Sequence, residues 1–222
     1  MWNPIRGLVI AGFLSGRFGP LDAQVFEFPP IDQGPSDSTF QAFRNSLRRA
    51  VSQYDTAFVV SVLAPEVTTG FDSPAGPVGF YTMWFQRSPS PNLWEVLGST
   101  LALGGAFHSD SVFMAPYVTA RWPGQFDSFE HVAVVGRQVR VRNGPSREAR
   151  ILTTVTYQIL RIHGYGPIPD ESGGSTKWIR VYLRDGREGY VAQPYIRSPI
   201  DYRVAFKKRG GRWLLSWIGI GD

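Results

Sequence analysis

Cysteine is absent from the 222 residues. That excludes disulfides, thiolate-bound zinc or iron–sulfur centres, and a cysteine nucleophile. Long apolar runs are absent as well: no stretch of about 20 such residues occurs, so no bilayer-spanning helix is expected. Histidine occurs only three times, as His108, His131 and His163. None belongs to an H-x-x-x-H or similar spacing, so no metal site is read. There is no G-x-S-x-G elbow, and no phosphate-cradling glycine loop precedes a helix; Gly104-Gly105 follows one instead. Asp127 and Glu130 read as solvating a domain junction rather than as a glycosidase pair. Asp170-Glu171 beside Gly173-Gly174 reads as a solvated loop rather than a calcium site. No cofactor is expected, and the chain reads as non-enzymatic.

What is present points to a β-rich globular protein. The 24 Gly and 17 Pro call for many turns, and 14% aromatic content is too high for a disordered chain. The net charge of +5 is uneven. Residues 36–126 carry five Arg and six acids, whereas residues 127–197 carry eleven basic and seven acidic groups. Arginine supplies 20 of the 23 basic residues. In Val139-Arg140-Val141-Arg142 the bases alternate with apolar residues, as on the wet face of a half-buried strand. A nucleic-acid binder would show a denser basic stripe with interleaved aromatics, so nucleic acid is not expected as a partner.

Residues 1–24 read as a secretory signal. Met1–Arg6 is a short n-region, Gly7–Leu14 an apolar h-region of eight residues, and Ala23-Gln24 a possible cleavage point. Residues 25–37 read as a linker. A periplasmic or secreted location follows from this leader.

Residues 38–126 together with 198–222 form the first expected domain. Phe40, Phe43, Leu47 and Val51 share one helical stripe, with Ser38 or Thr39 as cap and Arg44, Arg48 and Arg49 turned toward water. A short helix over 56–63 should stop at Pro65. Phe80, Met83 and Trp84 suggest further helical turns. Asn92 caps a helix whose face is Leu93, Val96, Leu97 and Leu101. Residues 112–118 read as a strand that Pro116 demotes to an edge. Residues 202–206 and 213–218 alternate around the Lys208–Gly211 turn, a hairpin that needs a sheet to join. The opening amphipathic helix, Asp55 ahead of a short apolar helix, and this terminal strand pair resemble the nuclear-transport-factor-two-like cone, in which helices pack on a curved sheet.

Residues 127–197 form the second expected domain. Val139-Arg140-Val141-Arg142-Asn143-Gly144-Pro145-Ser146 is an alternating strand followed by a Gly-Pro turn. Trp178-Ile179-Arg180-Val181, the Asp185-Gly186 turn and Gly189-Tyr190-Val191 follow in order. Over about 131–197 this succession resembles bacterial SH3-like domains. The resemblance implies a small closed β-barrel with Trp178 packed inside. It also implies a binding module of envelope or secreted proteins that contacts a peptide or peptidoglycan. The loop over 162–177 is longer than is usual there, which puts in doubt the ligand groove of better-known members.

The expected fold class is therefore α+β: N-terminal helices on a sheet completed by the C-terminal hairpin, with an inserted SH3-like barrel. The candidate ligand-binding residues are Arg140, Arg142, Tyr165, Tyr182, Tyr190 and Tyr195. The leading function is a non-enzymatic envelope interaction protein, with peptidoglycan or an envelope peptide or protein as partner. The alternative is a small-molecule-binding or weakly catalytic cone whose pocket would hold His108, Asp55 or Glu95.

Overall fold

The computed structural model describes residues 26–70, 74–87, 89–164 and 166–221. The signal expected over 1–24 and the candidate Tyr165 lie outside the described residues. The fold is mixed α and β, with short helices and two sheets.

The chain first builds α1 (Ser38–Ser52), α2 (Thr56–Ser61), β1 (Leu63–Thr68), α3 (Pro77–Tyr81) and α4 (Leu93–Ala102). It continues through β2 (Ala106–Ser109), β3 (Val112–Ala115) and α5 (Tyr117–Ala120). The cap of α1 is Asp37, not Ser38 or Thr39. Its carboxylate accepts from the Thr39 and Phe40 N–H groups at 2.7 and 2.9 Å, which satisfies two donors that the first turn leaves free. Arg44 does not face water. It is 2% exposed and pairs with Asp32 and Gln41, the latter at 2.7 Å. Burial would raise the Asp32 pKa, but the Arg44 hydrogen bond, the Gly34 N–H and the charges of Arg44 and Arg48 outweigh it. The carboxyl ends below its ordinary value. Arg48 is half-buried and donates to the Leu101 carbonyl at 2.6 Å, which ties α1 to α4.

The second stretch contributes β4 (His131–Val134), β5 (Val139–Arg142), β6 (Ile151–Val155), β7 (Ile159–Ile162), β8 (Trp178–Tyr182), β9 (Glu188–Ala192) and β10 (Ile196–Arg197). The chain closes with β11 (Arg203–Arg209) and β12 (Arg212–Gly219).

The first sheet runs β1-β12-β11-β3-β2, so the terminal hairpin lies in its middle. β1, of which the expected helix over 56–63 takes in only Leu63, pairs parallel with β12 and carries Pro65 on a sheet edge, where a missing N–H is tolerated. β3 is not an edge. It lies between β11 and β2 because the strand ends at Ala115, and Pro116 instead opens α5. Between the helices and this sheet lies an aromatic core that includes Phe40, Phe80, Trp84, Phe113, Phe206 and Trp213. Phe40 and Phe113 rings are 4.1 Å apart at their centroids, and Phe40 and Trp213 meet edge-on at 4.9 Å.

The second sheet runs β10-β4-β7-β8-β9-β5-β6. The expected closed barrel is corrected here: the ladder is open. β6 pairs only with β5 and β10 only with β4. Two causes are visible. β10 has two residues, too few to run along β6. The segment before α1 also bonds next to β6, with the Phe28 N–H donating to the Tyr157 carbonyl and Glu27 bridging Gln158. The sheet is nevertheless strongly rolled. β4 and β5 stand four places apart in the ladder, about 19 Å if flat. Residues 134 and 139 are separated by a connector that reaches at most about 18 Å when fully extended, so the sheet cannot be flat. Inside the roll, Val132, Val134, Val139, Val141, Val181 and Val191 belong to one apolar cluster. Gly189 faces inward against the Val141 side chain and the Arg142 carbonyl, where a Cβ would collide.

A third cluster joins the two units. Phe28, Tyr117, Val118 and Ala133 are buried together, and Ile31, Leu103 and Trp122 pack on them. Burial pushes the Tyr117 phenol far above its ordinary pKa. Among the described residues no helix is long and apolar enough to cross a membrane.

Candidate functional site

Strand alternation sets the site. In the second sheet Val139, Val141, Val181 and Val191 point inward, so Arg140, Arg142, Arg180, Tyr190 and Ala192 lie on the outer face. Trp178 shares that outward parity, directly opposite Ala192. It is nonetheless only 2% exposed and is not part of the sheet's inner apolar cluster. The loop over 166–177 covers it. Ile168 pairs with Trp178 by backbone bonds in both directions, and the indole Nε1 donates to Asp170 Oδ2 at 3.1 Å. The sequence expectation of Trp178 as an inner barrel residue is thus replaced by a Trp clamped between sheet and loop.

The loop is itself fixed. Asp170 accepts from the Ser172 hydroxyl and backbone, and the Glu171 N–H donates to the Pro145 carbonyl at 3.0 Å. The Ser172 hydroxyl and the Trp178 indole together hold the Asp170 carboxyl below its usual pKa. Arg147, from the turn after β5, reaches Thr176 Oγ1 at 3.3 Å. On the opposite side, Tyr195 packs over Gly136, and its carbonyl accepts from the Val135 N–H at 2.9 Å.

Between these walls lies a groove of about 650 Å³. Its apolar lining includes Trp178, Ala192, Pro194 and Tyr195, with Tyr195 51% exposed. Its polar lining is Gln138, Thr176 and four arginines: Arg137, Arg140, Arg142 and Arg147. None of these lining residues is a carboxylate. Arg142 donates to the Ala149 carbonyl at 2.6 Å and Arg147 to the Thr176 hydroxyl, both neutral acceptors. Arg137 and Arg140 show no side-chain partner among the described residues. Such a concave, half-apolar surface with convergent donors of one sign suits an anionic or carbonyl-rich ligand.

Of the sequence candidates, Arg140, Arg142 and Tyr195 line this groove. Tyr182 and Tyr190 do not. The Tyr182 hydroxyl bonds His163 Nδ1, whose nitrogen is also 2.9 Å from Glu188 Oε1, and Arg161 stacks over its ring at 5.8 Å. Tyr190 lies under Arg180 at 5.6 Å. Sequence reading missed Arg137, Gln138, Arg147, Thr176 and Pro194, which come from turns whose paths alternation does not fix. The three residues of the cone-pocket alternative are not gathered on a cavity. Asp55 caps α2 through the Phe58 N–H at 2.9 Å, Glu95 closes the α4 capping box with Asn92, and His108 is exposed on the edge strand β2. Among the described residues no group of three or more metal-ligating His, Asp or Glu side chains converges. No protein-family model, curated protein or solved structure matches the chain.

Proposed function

We propose that the protein is a non-enzymatic interaction protein of the cell envelope or its exterior, and that its second sheet binds a peptide or cell-wall component. The observation that carries this reading is the groove on the outer face of β5, β8 and β9. It offers an exposed tyrosine, a proline and four arginines within one concavity. The SH3-like character of residues 127–197 is part of the same reading. It is supported by the rolled valine core, the Asp185-Gly186 turn with Gly186 at φ 80°, and the order of the strands. The apolar stretch at 7–14 supports export, and protease accessibility in intact cells tests that part.

Binding is tested by retention of the full chain on purified peptidoglycan sacculi, alongside Arg137→Glu/Arg140→Glu. Retention of the parent chain and its loss in the double variant are expected. Equal behaviour of the two chains, or no retention of either, overturns the wall-binding reading.

A further inference from the structure

The ten arginines of residues 127–197 fall into three groups. Arg150 and Arg184 lie outside the groove and have no carboxylate partner among the described residues. Four others outside the groove each have a carboxylate partner: Arg161 with Glu130 at 3.3 Å, Arg180 with Glu188 at 3.8 Å, Arg187 with Asp185 at 2.6 Å and Arg197 with Asp201 at 3.2 Å. The four that line the groove have none. Acidic residues are close at hand, since Asp170, Glu171 and Glu148 stand on the adjoining loops. Yet Asp170 is turned toward Trp178 and Ser172, and Glu148 toward Ser146. The groove therefore gathers four positive charges with no carboxylate in its lining, which favours an anionic ligand.

Resting on the proposed binding role, we infer that the groove selects a short acidic peptide and that carboxylates are the recognised groups. Arg140 and Arg142 alternate along β5, so their side chains leave one face about 6.7 Å apart. That is the pitch at which every second side chain of an extended peptide falls, which sets one carboxylate per arginine. The guanidinium fork meets a carboxylate through two parallel N–H donors. Tyr195 and Pro194 offer apolar surface to the peptide's remaining atoms. The volume is that of a drug-sized or short-peptide site, not of the long charged track with successive stacking aromatics that a nucleic-acid strand requires.

The test is a fluorescence-anisotropy titration of the full chain with labelled tetraglutamate, tetraglutamine, oligothymidylate and tripolyphosphate. Tetraglutamate is expected to bind at least roughly tenfold more tightly than tetraglutamine and more tightly than either phosphate ligand. Arg140→Gln and Arg137→Gln should each weaken it by roughly three- to tenfold, with circular dichroism and melting temperature unchanged. Equal binding of tetraglutamate and tetraglutamine overturns the inference, as does tighter binding of either phosphate ligand or indifference to Arg140→Gln. Sacculi with amidated carboxyl groups separate this claim from the broader one. Retention that survives amidation overturns carboxylate recognition while leaving wall binding standing. Tight tetraglutamate binding without any sacculus retention overturns the wall ligand and supports the acidic peptide.

Discussion

The two sheets of this protein solve the same problem with different residues. The five-stranded sheet is covered by α1 and α4 and filled with rings. Phe40 alone lies within 6.0 Å, centroid to centroid, of Phe43, Phe107, Phe113, Phe206 and Trp213. In the seven-stranded sheet α5 covers the outer face only at the β4–β7 end, where Tyr117 and Val118 pack on Ala133, with Ile159 beside them; over β5, β8 and β9 the described residues place no helix. This sheet rolls on itself around valines, and its outer face carries arginines and tyrosines. A sheet with helices packed on one face has only its opposite face to present. A sheet that curls around its own core keeps its convex side for other molecules. The groove lies on the second kind.

The sharpest way to break the comparison is Phe40→Ala. A fully buried ring at the junction of α1, β3, β11 and β12 should cost about 3–5 kcal/mol, read as a drop in the urea midpoint. Val141→Ala in the rolled sheet should cost less, about 2 kcal/mol, because fewer atoms leave the core. Equal costs would remove the claimed difference between a ring-filled and a valine-filled core. Next comes Asp32→Ala, which leaves Arg44 buried without its counter-charge. Complete burial of both partners would make this severe. Asp32 is partly exposed, so about 2 kcal/mol is expected, and Arg44→Met should recover much of it in the Asp32→Ala background.

A smaller effect is read by pH at the cap of α1. The Thr39 hydroxyl and the Phe40 N–H hold the Asp37 carboxyl down at about 2, with Lys208 assisting. A carboxyl depressed in the folded state contributes stability above its unfolded value near 3.8 and loses it as pH falls toward 2. Melting temperature should therefore fall through this window, and Asp37→Asn should fall less. A parallel decline in both chains would show that the cap does not matter. Asp170→Ala should release the 168–176 segment from Trp178, seen as a red shift of indole emission and faster proteolysis in that segment, with the first sheet unaffected. Arg140→Gln should change stability least, within about 0.5 kcal/mol, since its side chain has no protein partner to lose.

Helices α1 and α4, the terminal hairpin and the alternating strands were legible because each is encoded by local pattern, whereas α5 was read as the end of a strand. The Phe40, Phe43, Leu47 and Val51 stripe, Asn92 with Glu95, and Asp185-Gly186 are examples. Arg44 was not legible, because its burial depends on Asp32 arriving from outside the helix. β1 and β2 were hidden because they are short and borrow their pairing from β12 and β3, strands distant in sequence or joined by a tight turn. The open seam was hidden for a similar reason: it depends on where residues 27–28 dock. Half of the groove was visible in the Val139–Arg142 alternation. The rest comes from Arg137, Arg147 and Thr176 on turns, and from a loop held by bonds to Trp178, Pro145 and Arg147 that lie outside its own local pattern.

The most direct measurement is an amide hydrogen-exchange map of the full chain with and without solubilised wall peptides. Slowed exchange confined to β5, β8, β9 and the 168–176 loop, with α1–α4 and the terminal hairpin unchanged, is the expected result. Protection centred on the helices or on β11 and β12, with the groove strands unaltered, would contradict the placement of binding on the rolled sheet.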